Sequence, residues 1–168
     1  KETNALLEGH FVLSSGLHSD RYSQCAKLLS FPRLSQKICQ SLSRRIKKKF
    51  KKIDLILSPA VGGIVIGYEI GKILNKETIF CERVNKKFTL RRGFQIKKNA
   101  KVLIVEDVIT TGKSSLECVS LIKKAKAKLI GFACIIDRSN KSSLKIKNKL
   151  LVSQLKIEAK TFKKNKIP

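Results

Sequence analysis

Glu106 and Asp107 stand side by side after the apolar run 102–105 and lead into Val108-Ile109-Thr110-Thr111-Gly112-Lys113-Ser114. Two adjacent carboxylates at the end of a buried strand are costly to desolvate unless something pairs with them. A vicinal diol, as on a ribose, offers two donors at that spacing. The small and hydroxyl-bearing residues that follow lead into a helix, whose free first-turn amides can cradle a phosphate. An acidic pair beside a phosphate nest describes a ribose phosphate; a capped helix after a strand is the plainer alternative.

Two neighbouring patterns fail on inspection. Gly112-Lys113-Ser114 looks like the end of the nucleotide-hydrolysing loop GxxxxGK[ST], but its first glycine would fall at position 107, which is Asp107. The run Gly62-Gly63-Ile64-Val65-Ile66-Gly67 sits where a dinucleotide fingerprint could, and Glu82 lies 20 residues beyond Gly62. That fingerprint needs glycine at position 64, where Ile64 stands.

The elements that must position these residues alternate along the chain. Strand candidates are 53–58, ending at Pro59, then 78–82, 101–106 and 129–137. The last is almost unbroken apolar, as expected of a strand covered on both faces. Helix candidates lie between them at 62–75 and 113–126, and a longer one runs from Phe31 to Phe50 with Leu34, Ile38, Leu42 and Ile46 spaced four apart. Strand and helix in alternation predict an α/β fold with a central parallel sheet flanked by helices. Residues 10–29 and 150–157 read as short strands forming a small flap above the C-terminal edge of that sheet. Residues 83–99 carry seven Lys or Arg and one glycine, a long connection with little structure of its own, and such loops are usually functional. Open α/β sheets bind ligands outside the carboxyl ends of their strands, so the informative positions follow 58, 82, 106 and 137.

Composition bounds the reading. The chain of 168 residues, 42% hydrophobic and 29% charged, makes one domain with or without a flap. A domain of that length buries roughly 70% of its unfolded surface and needs neither disulfides nor metal to hold it. No apolar run approaches the roughly 20 residues of a membrane span, and the first residues lack the pattern of a secretory signal. Cys25, Cys39, Cys81, Cys118 and Cys134 form an odd set without a CxxC pair, the pattern of buried thiols in a reducing cytoplasm. His10 and His18 are the only histidines, too few for a Cys/His zinc site or a Cys–His nucleophile. Net charge is +25, with Lys outnumbering Arg 29 to 8. Specific nucleic-acid readers lean on Arg forks and aromatic platforms, whereas this chain has 6% aromatics and no Trp. A positive field also draws small multivalent anions such as phosphorylated sugars.

The string VLIVEDVITTGKS (102–114) resembles the phosphoribosyl-diphosphate motif of the type I phosphoribosyltransferases. Within that family the chain is similar to the members that use orotate, through LLEGHFVLSSGLHSDRYSQC (6–25), SPAVGGIVIG (58–67), ERVNKKFTLRRGF (82–94) and IIDRS (135–139). These segments follow one another in order over most of the chain. The resemblance implies the type I phosphoribosyltransferase fold, with a hood from the N- and C-terminal segments. It implies a Mg²⁺-dependent transfer of the phosphoribosyl group from 5-phospho-α-D-ribose 1-diphosphate to orotate, in pyrimidine synthesis. It further implies that Glu106 and Asp107 hold the ribose hydroxyls, that Val108 to Ser114 take the 5′-phosphate, and that Thr110 also reaches orotate. Arg138 matches the arginine that pairs with the orotate carboxylate, a planar anion suited to a guanidinium fork. Ala60, Val61, Gly62 and Gly63 fall where the family binds diphosphate. Segment 83–92 resembles the mobile catalytic loop that closes over the neighbouring subunit of a homodimer. Arg83, Lys87, Arg91 and Arg92 are its candidates, with Lys87 as the catalytic lysine and Arg83 beside it; a solvated basic hairpin is the other reading. No residues form a metal-binding cluster of their own, so Mg²⁺ is expected to be held mainly by substrate.

The chain departs from the family pattern in places. His18 stands near the position of a flap lysine; it replaces that cation when protonated, leaves the role to Arg21, or is a plain surface histidine. Val61-Gly62-Gly63 lacks a lysine that some members carry, and Lys113 fills a position often held by a small residue. Residues 158–168 are Lys-rich without a match. Two other functions share the motif: transfer to another base, such as a purine, and a regulator that kept the sugar-phosphate site but binds nucleic acid through its basic surface.

Overall fold

Alternating side chains on three central strands feed two separate cores. In Leu55–Pro59 (β3) every residue is buried, in Lys101–Ile109 (β6) Val102 through Glu106 are, and in Lys128–Asp137 (β7) Gly131 through Asp137 are. Ile56, Leu103, Val105, Ala133 and Ile135 point into one core. Leu55, Leu57, Val102, Ile104, Phe132 and Cys134 point into the other. A strand alternates its side chains between faces, so burial on both faces requires an apolar residue at nearly every position.

The computed structural model describes residues 6–12, 18–139, 144–157 and 161–162. The chain opens with Leu6–Val12 (β1) and His18–Ser23 (β2), followed by helices Cys25–Leu29 (α1) and Pro32–Lys49 (α2). After β3 come Gly63–Leu74 (α3), Glu77–Val84 (β4) and Lys87–Thr89 (β5). Lys113–Lys124 (α4) joins β6 to β7, and Leu151–Lys156 (β8) and Thr161–Phe162 (β9) complete the set. The large sheet has the order β5-β4-β3-β6-β7-β8. All its pairings are parallel except that of β4 with β5. Helices α2 and α3 cover one face and α4 the other. In α2, Pro32 occupies the first turn, and Ser35, Cys39, Leu42 and Ile46 are buried. The stripe is therefore rotated from the one predicted: Leu34 and Ile38 lie at its border, partly buried.

The flap differs from its expected form in three ways. Residues 151–156 do not belong to it; β8 pairs with β7 as an edge strand of the large sheet, in register Phe132↔Leu151 to Asp137↔Lys156. Its outer side is covered by α2, from which Arg45 donates to the Ser153 carbonyl at 3.2 Å and Lys49 to that of Leu151 at 3.0 Å. Residues 25–29 are helical, because Cys25 and Leu29, one turn apart, both reach the first core. The flap proper is an antiparallel sheet of β1-β2-β9, in which His18 and Ser19 pair with Phe162 and Thr161. The SSGL turn at 14–17, most of the 158–168 tail and the stretch 140–143 lie outside the described residues. The 83–99 connection also carries more structure than expected: β4 and β5 form a hairpin with Arg83 opposite Phe88. Among the described residues no helix is long and apolar enough to cross a membrane.

Candidate active site

The carboxyl ends of β3, β4 and β6 surround a cleft of about 210 Å³. From β3 it receives Pro59, then the turn residues Ala60 and Gly62 and, at the start of α3, Gly63; from the hairpin, Arg83 and Phe88; from β6 and α4, Glu106, Asp107, Val108 and Ser114. Parallel strands end together, so turns distant in sequence share one edge of the sheet.

The acidic pair is the floor of the cleft. Glu106 is only 6% exposed, and its Oε1 is buried without a protein partner. Burial pushes its carboxyl up to about 7; Ser115 opposes that rise, and the neighbouring Asp107 adds to it. Asp107 is shifted upward as well, by burial, with the Val108 amide pulling the other way; that amide donates to Asp107 Oδ1 at 2.9 Å. Gly62 lies against the same carboxylate, since a Cβ there would sit 2.9 Å from both of its oxygens. The glycine lets the turn after β3 close on the acids, so the segments expected to take diphosphate and ribose share one cleft.

The turn expected to take the 5′-phosphate is shorter than the sequence suggests. Val108 and Ile109 continue β6, paired with Ile136 and Asp137, and Ile109 is buried in the second core. The β6–β7 ladder runs on past the acids through these two pairs. The turn is therefore Thr110 to Gly112, leading into α4. Gly112 has φ +73°, which favours glycine, and a Cβ would strike Ile146. Thr111 Oγ1 accepts from the Lys113 amide at 3.3 Å, and the Lys145 amide donates to the Thr111 carbonyl at 3.0 Å. The N-cap Gly112 offers no side chain to α4, a helix end of the kind that can receive an anion on its free amides, and Ser114 of this first turn lines the cleft. Lys113 is exposed.

The basic residues are only partly gathered. Arg83 lines the cleft, held by Glu117 at 2.7 Å, by the Lys86 carbonyl at 3.0 Å, and over the Phe88 ring at 4.2 Å. Lys87 is exposed at the start of β5 opposite Val84 and does not line the cleft. Arg91 and Arg92 reach Glu82 at 3.9 and 2.8 Å instead. Val61 points to solvent, 82% exposed. Arg138 follows β7, its amide donating to the Ile109 carbonyl at 2.8 Å, outside the cleft lining. His18 is not a surface histidine: it is buried and stacks on His10 with ring centroids 4.8 Å apart. Arg21 lies on β2 in register with Glu8.

Phe88, Ser115 and Glu117 escape a reading of the sequence: Phe88 lies in a strand of only three residues, and Ser115 and Glu117 meet Glu106 and Arg83 through the packing of α4 on the sheet. Among the described residues no group of three His, Cys, Asp or Glu could hold a metal ion. The partnerless Glu106 oxygen beside Asp107 does fit a metal that arrives with its own oxygen ligands.

Residues 26–165 match the model of the phosphoribosyl transferase domain. The chain is 45% identical over 138 residues to an orotate phosphoribosyltransferase of Helicobacter pylori, covering 82% of this chain and 69% of the relative. The crystal structure of orotate phosphoribosyltransferase from Aeropyrum pernix superposes with a TM-score of 0.78 at 21% identity, over 94% of this chain and 90% of that one. The Mycobacterium tuberculosis H37Rv orotate phosphoribosyltransferase, solved with inorganic phosphate, gives 0.70 at 21% identity, over 90% and 88%.

Proposed function

The chain belongs to the phosphoribosyl transferase domain family, and from that premise we propose that it moves the phosphoribosyl group of 5-phospho-α-D-ribose 1-diphosphate onto orotate. The products are orotidine 5′-monophosphate and diphosphate, a step of pyrimidine nucleotide synthesis. The observation that carries this reading is the close approach of Gly62 to the Asp107 carboxylate within one cleft. The 45% identity to an orotate enzyme favours orotate over a purine base.

Glu106 and Asp107 hold the two ribose hydroxyls, which supply the donors that Glu106 Oε1 lacks in the protein. The turn Thr110–Gly112 and the first amides of α4 take the 5′-phosphate. Ala60, Gly62 and Gly63 bring backbone to the diphosphate. Thr110 and Arg138 orient orotate, the latter by a guanidinium–carboxylate fork. The ring nitrogen N1 of orotate then bonds to C1 of the ribose and gives up its N–H proton to the departing diphosphate, while the C1–O bond to that diphosphate breaks and its electron pair leaves with the oxygen. The ribose is oxocarbenium-like at that moment, so two carboxylates below the ring stabilise it electrostatically. Arg83 at the cleft, and Lys87 when its loop closes, meet the negative charge growing on the departing oxygens.

Glu106 and Asp107 would help the diphosphate hold Mg²⁺, which would supply Lewis-acid neutralisation of the leaving group. The enzyme works as a homodimer in which the 83–92 loop reaches the neighbouring site; in support, Lys87, Arg91 and Arg92 stand off the cleft of their own chain. A cytoplasmic setting accords with five buried, unpaired thiols.

The test is loss of orotate absorbance with purified protein, 5-phospho-α-D-ribose 1-diphosphate and Mg²⁺, against controls lacking each. Turnover should require all three. Binding of the sugar diphosphate without turnover of orotate would remove orotate as the acceptor.

A further inference from the structure

We propose that Asp137 is a positioning residue for orotate recognition, acting through the turn that presents Arg138. This rests on the reading that Arg138 holds the orotate carboxylate. Asp137 and Ser139 are polar residues with only 6% and 2% exposure, directly flanking Arg138. Asp137 Oδ1 accepts both the Ser139 amide, at 2.8 Å, and the Ser139 hydroxyl, at 2.5 Å. A carboxylate that bonds the amide two residues on closes a turn with its own side chain, and the residue at the centre of that turn is Arg138.

The turn is tied down on both sides. The Arg138 amide donates to the Ile109 carbonyl at 2.8 Å, and the Ile157 amide to the Asp137 carbonyl at 2.8 Å. Asp137 is also in register with Ile109 of β6 and Lys156 of β8. Ile109 is followed at once by Thr110, the other residue assigned to orotate. The backbone of Arg138 is thus stitched next to Thr110, and Asp137 sets the direction in which the chain leaves that point. A guanidinium fork recognises a carboxylate only in a narrow geometry, so loosening the turn should be felt by orotate and not by the sugar diphosphate.

The experiment measures KM for each substrate and kcat in Asp137→Ala, Asp137→Asn, Ser139→Ala, Arg138→Ala and the double variant Asp137→Ala/Arg138→Ala. Asp137→Ala should raise the orotate KM about tenfold while the sugar-diphosphate KM stays within about twofold. Asp137→Asn, which keeps an oxygen acceptor, should stay close to the parent. Ser139→Ala, which keeps the amide, should give a smaller rise of about threefold and serves if the Asp137 variants fold poorly. In the double variant the orotate KM should match that of Arg138→Ala alone, because residues acting as one unit are not additive. An additive loss, or an equal rise in both KM values, would overturn the proposal while leaving the role of Arg138 intact. An Arg138→Ala enzyme with unchanged orotate KM would sink the Arg138 reading and the positioning role with it.

Discussion

Glu106 is held where its charge is costly. Its carboxyl is buried, one oxygen has no protein partner, and its pKa stands at about 7 against an ordinary 4.5. Between those two values the folded state holds this proton more tightly than the unfolded chain does. The stability from the group is therefore full below about pH 4.5 and is lost as pH rises through 7. A shift of that size corresponds to something on the order of 3 kcal/mol. Glu106→Gln keeps the shape and removes the charge, so it should raise the melting temperature above the parent's at pH 8, with the gap closing near pH 4.5. On the proposed role of Glu106 beneath the ribose, the same change should cut turnover roughly 10- to 100-fold. Thermal unfolding at the two pH values checks this, and an equal gap at both would show that burial of the charge is not the cost. The acids themselves were legible, since adjacent carboxylates after an apolar run are conspicuous. Their environment was not: Gly62 lies 45 positions away from Asp107, and only the parallel sheet brings them together.

The β4–β5 hairpin shows what an element adds to its residues. Phe88 is buried between exposed Lys87 and Thr89, and three residues are too short a run for that alternation to announce a strand. Once Phe88 is anchored, Arg83 is stacked on it at the cleft and Lys87 is placed at the outer start of β5. Sequence reading grouped these cations as one basic loop; the hairpin separates them. In the same way residues 151–156 read correctly as a strand, yet alternation cannot say which sheet a strand joins. If the loop works across a homodimer, Lys87→Ala and Glu106→Gln disable different subunits' contributions to one site. Each variant alone should keep about a tenth of parental turnover or less, with Lys87→Ala still binding the sugar diphosphate. Mixing them under conditions that exchange subunits should restore about a quarter of parental activity, since half the dimers are hybrids with one intact site of two. No recovery on mixing, with exchange demonstrated by differently tagged subunits, would place Lys87 in the site of its own chain.

On the scale of the whole molecule, the central sheet was readable because strands buried on both faces leave nearly continuous apolar runs, and the helices between them keep their own periodicity. The flap was the least readable part, for its strands are short and join segments from both ends of the chain. The charge has a consequence of its own. A chain of net +25 is positive as a whole, while its cleft has a floor of two acids with Arg83 in its lining, so both anionic substrates approach through an attractive field. Such fields act at a distance and are screened within about 10 Å at 0.1 M salt. Raising the concentration of an inert salt from about 20 to 300 mM should therefore raise KM for the sugar diphosphate several-fold, about fivefold or more. In the closed site, with water excluded, kcat should change by less than about twofold, because charges at contact distance are screened far less. Steady-state kinetics at fixed free Mg²⁺ separates the two effects. A KM that stays flat while kcat falls would mean that the surface charge does not guide substrate, and that salt acts instead on the short-range contacts of Arg83 and its loop.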